Sequence, residues 1–174
     1  MNLIQYKDVP VSLFLAVSII IVSLLYITTF IKTIPCQKNM SSIFYSHFIH
    51  VEPYHLIANL FALYVLSRVE RDIGDKKFMM LIVFLLVITS LAEVLIHKII
   101  HVPCSIGFSG ILFGVMAYEI TSKKGFDWLL FVSISGVIAS SSLQDSKSSL
   151  IGHTIGAISG IMAGIIWNYI NKIK

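Results

Sequence analysis

Long apolar runs alternate with short polar breaks along this chain, at 11–31, 54–70, 77–97, 107–122, 126–143 and 149–170. A helix needs roughly 20 mostly apolar residues to cross the hydrocarbon core of a bilayer. The pattern therefore predicts an all-α membrane protein with six spans, residues 1–174 forming one domain and not a repeat array. The first, third and sixth runs are long and apolar, whereas the second and fourth are short and begin with polar residues. The long connection from 31 to 54 holds Pro35, Pro53 and the apolar Ile43, Phe44, Tyr45, Phe48 and Ile49. That content predicts an element lying partly in the membrane interface rather than a disordered loop. The fourth run opens at Gly107-Phe108-Ser109-Gly110, after Pro103 and Cys104. Its polar end is expected below the membrane surface, where backbone groups must be enclosed by protein or wetted by a recessed pocket.

Composition agrees: 56% of the 174 residues are hydrophobic and 13% charged, and the mean hydropathy is +0.87. This excludes an ordinary soluble domain and makes the lipid bilayer the chain's surroundings. The formal charge is +4, but where the cations fall matters more than their sum, and nucleic acid is not expected as a partner. With the N-terminus in the cytoplasm, that side receives Lys7, Arg68, Arg71, Lys76, Lys77, Lys123, Lys124, Lys172 and Lys174. The other side receives Lys32, Lys38, Lys98 and Lys147. This bias predicts both termini in the cytoplasm. The run from Val11 to Ile31 is too long for a signal h-region and reads as a retained anchor. Cys36 and Cys104 have no metal-type spacing and fall before predicted helices on one membrane side, which leaves a disulfide open in an oxidising compartment.

Ionisable side chains at membrane depth are costly and mark functional sites by default. His153 stands in Gly152-His153-Thr154-Ile155-Gly156, and Gly152, Gly156, Gly160 and Gly164 recur every four residues as a smooth face for a neighbouring backbone. His153 shares that face. The fourth run has its own small-residue face, Gly107, Gly110 and Gly114 around Ser109, so the two helices are expected to pair and bring Ser109 to His153. A serine beside a neutral histidine is the chemistry of acyl transfer. His55 and Asn59, at i and i+4 on the second helix, are candidate donors to an oxyanion. Separately each signal is weak, since GxSG is short, membrane serines are common, a lone histidine often bonds a carbonyl, and polar pairs hold helices together. No Asp or Glu lies in the sixth run or near His153 in sequence except Asp145 in the preceding loop, so a dyad is expected rather than a triad.

The order His55-x-x-x-Asn59, Gly107-x-Ser109-Gly110, His153-x-x-Gly156-x-x-x-Gly160 resembles the rhomboid family of intramembrane proteases over nearly the whole chain beyond the first span. The resemblance implies a serine endopeptidase without cofactor or metal. Ser109 would be nucleophile and His153 its base, while His55, Asn59 and the Ser109 N–H would stabilise the oxyanion. Phe113 would stack on His153, with Gly107, Gly110, Gly156 and Gly160 as structural support. The implied substrates are membrane proteins whose transmembrane segment unwinds near a small residue, and the implied location is the plasma membrane if the source is prokaryotic. Substrate identity and oligomeric state stay open. The first loop lacks the Trp-Arg pair many rhomboids carry, which touches its anchoring and not the chemistry. Two rival readings are a catalytically silent rhomboid-like client-binding protein and a small transporter using the glycine-lined contact.

Other polar residues read more plainly. His47, His50 and Glu52 cluster near His55, but Pro53 breaks the helix that would align a metal set; His47 and His50 are expected to bond loop carbonyls. Arg68, Glu70 and Arg71 read as an interfacial charge cluster before the helix stop at Gly74. Glu93 and Glu119, near span ends, are expected to reach headgroups or partners.

Overall fold

The computed structural model describes residues 8–31, 40–100, 105–122, 128–129, 132 and 147–173. Its elements are α-helices: α1 (Pro10–Ile27), α2 (Met40–Ser46), α3 (Pro53–Ile73), α4 (Asp75–Ile99), α5 (Ser109–Ser122) and α6 (Lys147–Ile173). Five of the six predicted spans coincide with α1, α3, α4, α5 and α6. The fifth, 126–143, lies almost wholly outside the described residues, as do Cys36, Cys104 and Asp145. Among the described residues three helices are long and apolar enough to cross a membrane, α1, α4 and 150–170 of α6, with mean hydropathies of 2.5, 2.7 and 1.6. Helix α5 has 14 residues, about 21 Å of rise against a hydrocarbon core of roughly 30 Å. This fits a helix that begins inside the membrane. Helix α2 is the short element expected in the first loop.

Helix boundaries follow local chemistry. Pro10 and Pro53 occupy the first turns of α1 and α3, where a missing N–H costs nothing. Gly74, at φ 86°, ends α3 by donating to the Glu70 carbonyl at 2.7 Å and at once accepts from Phe78 N–H in the first turn of α4. Only a residue tolerant of that conformation joins two helices with no further loop. The core gathers Ile19 of α1, Phe78, Ile82 and Leu85 of α4, and Phe108 and Ile111 at the start of α5, all fully buried.

Glu70 departs from the interfacial reading. It is buried, and its carboxylate accepts from the N–H groups of Val11 and Ser12 at 2.8 Å each and from the Ser12 hydroxyl at 2.6 Å. Helix α1 has no side-chain cap of its own, so Glu70 supplies acceptors for its orphan first-turn donors from another helix.

The turn after α2 locks the start of α5. The Ser46 carbonyl accepts from Gly107 N–H at 2.9 Å. His50 Nε2 accepts from Phe108 N–H at 3.2 Å, which puts the His50 proton on Nδ1, 3.3 Å from Ser23 Oγ. Ser23 accepts also from His50 N–H at 3.1 Å and donates to the Phe48 carbonyl at 3.2 Å, so every polar group in this knot has a role. His47 Nε2 meets Ser90 Oγ of α4 at 3.2 Å. These two histidines thus find hydroxyls and a backbone N–H rather than serving only loop carbonyls.

Two predictions follow from these anchors. Glu70→Ala leaves buried N–H groups of α1 unpaired and is expected to cost on the order of 2–4 kcal/mol; an unchanged thermal midpoint in detergent would contradict the capping role. Burial holds both His47 and His50 at about 4, with neighbouring His55 adding to the effect at His50. The unfolded chain therefore binds protons more readily between pH 6.5 and 4. The stability these histidines contribute is fully present above about 6.5 and lost as pH falls towards 4. Thermal unfolding across that window should show a slope that the His47→Gln, His50→Gln double variant flattens, and parallel curves would contradict it.

Candidate active site

Helices α5 and α6 form the most extensive contact among the described helices, and its closest approaches are made by backbone. A Cβ added at Gly156 would strike the Gly110 carbonyl, one at Gly160 the Gly114 carbonyl, and one at Gly164 the Thr121 side chain. Conversely, a Cβ at Gly110 would lie 3.0 Å from the Gly152 carbonyl oxygen. The two small-residue faces anticipated from sequence are apposed, and close approach replaces side-chain interdigitation with dispersion between main chains. Asn168 Nδ2 donates to the Thr121 carbonyl at 2.6 Å, closing the far end of the pair.

This approach carries the side chains. His153 Nε2 and Ser109 Oγ are 2.9 Å apart, hydrogen-bond distance for a proton to pass from hydroxyl to imidazole. Phe113, one turn after Ser109, stacks on the His153 ring with centroids 4.3 Å apart and planes at 27°, which restricts the imidazole to the rotamer that meets Ser109. Ser109 is the first residue of α5, and the first N–H groups of a helix lack intrahelical acceptors. A developing anion at Ser109 would sit on those donors.

Gly107 is needed twice in the approach to that helix start. Its φ is 106°, and a Cβ there would sit 2.7 Å from His55 Cε1 and 3.3 Å from His50 Nε2. His55 and Asn59 of α3 share a face and line one cavity of about 550 Å³ with Ser109, Phe113 and His153. Asn59 is buried, and one donor of its amide goes to the His55 carbonyl at 2.9 Å. The structure thus brings together Ser109, His153, His55, Asn59 and Phe113, with Gly107, Gly110, Gly156 and Gly160 making the close approaches around them. Below the polar end the cavity is apolar, walled by Ala62, Val65, Leu66, Leu112 and Met116, and it ends at Arg68. Among the described residues no cluster of three potential metal ligands occurs.

Two residues read otherwise from sequence belong to this region. Glu119 does not reach headgroups but is buried and paired with Arg68, Nη2 to Oε2 at 3.1 Å, tying α5 to α3. Glu93 is likewise buried, 2% exposed, in a small second cavity shared with His47, Ser109 and His153. Sequence spacing gives no sign of either, because both depend on which helices become neighbours.

Comparison with known proteins bears on the family of the chain. A rhomboid domain model matches residues 37–169. A rhomboid protein of Acanthamoeba polyphaga mimivirus is 29% identical over 127 residues, covering 69% of this chain and 71% of that protein. The rhomboid protease GlpG of Haemophilus influenzae is 28% identical over 139 residues, covering 71% of this chain and 66% of GlpG. With a family model spanning three quarters of its length and apolar helices of membrane-crossing size, this chain is an integral membrane protein that belongs to the rhomboid family.

Proposed function

We propose that this protein is a serine endopeptidase that cleaves membrane segments of other membrane proteins through a Ser109–His153 dyad. The observation that carries the reading is the 2.9 Å contact between Ser109 Oγ and His153 Nε2, held from two helices at the head of a cavity. Similarity to a protein named as a rhomboid protease supports the same reaction class.

In the proposed mechanism Ser109 Oγ attacks the scissile carbonyl carbon as His153 Nε2 takes the hydroxyl proton. The carbonyl oxygen becomes an oxyanion facing the Ser109 N–H, His55 and the Asn59 amide. The imidazolium then gives its proton to the leaving amine nitrogen. Water, deprotonated by His153 in turn, resolves the acyl-enzyme. No cofactor enters these steps. The apolar wall below the dyad suits the continuation of a transmembrane segment, and the polar head suits a locally unwound strand. Rhomboid substrates are membrane proteins in the bilayer, and we extend that class to this chain. The proposal includes six spans in a single domain with both termini in the cytoplasm, set in a plasma membrane if the source is prokaryotic.

Purified protein in detergent should react with a fluorophosphonate at Ser109 and cleave a panel of single-span substrates. Ser109→Ala and His153→Ala are each expected to lower cleavage by at least about a thousandfold while remaining folded. His55→Ala or Asn59→Ala is expected to lower the rate by roughly 100-fold. Cleavage retained by Ser109→Ala would overturn the assignment, and folded wild-type protein that resists the fluorophosphonate would favour a client-binding role.

A further inference from the structure

The proposed proton transfer leaves a positive imidazolium on His153, a side chain 7% exposed and set in an apolar bundle. An unaccompanied buried cation is expensive. Serine hydrolases commonly offset it with a carboxylate on the far imidazole nitrogen, and the sequence around His153 has none. Phe113 offers the ring face alone.

The fold brings in a carboxyl from elsewhere. Glu93 of α4 and His153 of α6 line the same enclosed cavity of about 10 Å³ with Ser109, Ser105 and Gly152, about the room of one water. The Glu93 carboxyl packs against the backbone just before His153: a Cβ placed on Gly152 would lie 3.6 Å from Glu93 Oε1 and 2.7 Å from Ser105 Oγ. Ser105 Oγ and Glu93 Oε1 approach the same side of Gly152, and neither carboxyl oxygen makes a hydrogen bond with a described residue. Glu93 therefore caps no helix, unlike Glu70, and pairs with no described arginine or lysine, unlike Glu119. It is a buried acid outside the anchoring contacts of the fold, and it lines one small cavity with Ser109 and His153.

We infer that Glu93 is a positioning residue for the dyad, a carboxylate whose negative charge stabilises the His153 imidazolium across this gap. The inference rests on the hydrolase reading above. Glu93 takes no proton in the reaction; the proton passes from Ser109 Oγ to His153 Nε2 and on to the leaving group, and the carboxylate lowers the energy of the charge-separated stage. Among the described residues, His47 from the turn after α2 lines the same cavity, His55 from α3 shares the larger cavity with His153, and His97 follows Glu93 by one turn along α4. His47 is held neutral by its burial, and no lysine or arginine lines the cavity. At an effective dielectric near 20, opposite charges several ångströms apart are worth on the order of tenfold or more in rate.

The test is the rate of fluorophosphonate labelling of full-length protein in detergent, as a function of probe concentration and pH, for wild type, Glu93→Gln, Glu93→Asp and Ser109→Ala. Glu93→Gln keeps size and polarity and removes the charge. It is expected to lower the maximal labelling rate about tenfold, with the half-saturating probe concentration and the thermal midpoint unchanged. Because a neighbouring negative charge makes the pair hold its protons to higher pH, the acid limb of the Glu93→Gln profile should move to lower pH. Glu93→Asp should recover part of the rate. Wild-type behaviour of Glu93→Gln at every pH would overturn the proposal, and so would a slower rate with an unmoved acid limb, the mark of a purely structural residue. Labelling of wild type but not of Ser109→Ala preserves the hydrolase reading in either case; no labelling of wild type at Ser109 would take down both.

Discussion

The chemistry proposed for this protein depends on two helix backbones touching. Between α5 and α6 the usual layer of side chains is absent, so that Gly110 and Gly114 meet Gly156 and Gly160 main chain to main chain. In lipid there is no hydrophobic force to press helices together, and such contacts rely on dispersion between closely fitted surfaces. A single methyl group at the tightest of these positions occupies space already filled by a carbonyl oxygen. The separation of the helices, and with it the 2.9 Å between Ser109 and His153, is therefore set by the absence of side chains rather than by any attraction between the two functional groups.

Around that contact the fold deals with a second constraint, that buried polar groups must find partners where water is scarce. Glu70 satisfies the start of α1, His50 and Ser46 hold the backbone before Ser109, and Arg68 pairs with Glu119 between α3 and α5. Each of these joins elements distant in sequence, and together they fix the frame into which the α5–α6 pair fits. Gly107 lets His50 and His55 press close to the turn from which Ser109 emerges. Glu93 stands apart because its carboxyl does none of this anchoring and lines a small cavity with Ser109 and His153.

What could be read from sequence was what helical periodicity encodes locally. The glycine spacing of α6 exposes one face, His153 lies on it, and Phe113 one turn beyond Ser109 follows from α5 being a helix. His55 and Asn59 share a side of α3 for the same reason. Residues whose meaning depends on which helices become neighbours are only coarsely legible: Glu70 reads in sequence as an interfacial charge near a helix end, Glu93 and Glu119 as contacts to headgroups or to partners that spacing does not name, and His50 as a loop residue. The last turn of α3, which runs on to Ile73, was also hidden, because its polar end residues broke the apolar run that marked the span. The fifth apolar run, 126–143, contributes little to the described structure, so its part in the bundle rests on the sequence pattern alone.

The most direct test of the central contact is a graded series at Gly156, read by fluorophosphonate labelling of Ser109 in folded protein. Gly156→Ala and then Gly156→Val should push α6 away from α5 in steps and lower labelling in the same order. Ile158→Ala, on the exposed face of the same helix, should leave it unchanged. Labelling of a folded Gly156→Val protein at the wild-type rate would show that the backbone contact does not set the dyad, and would contradict the account.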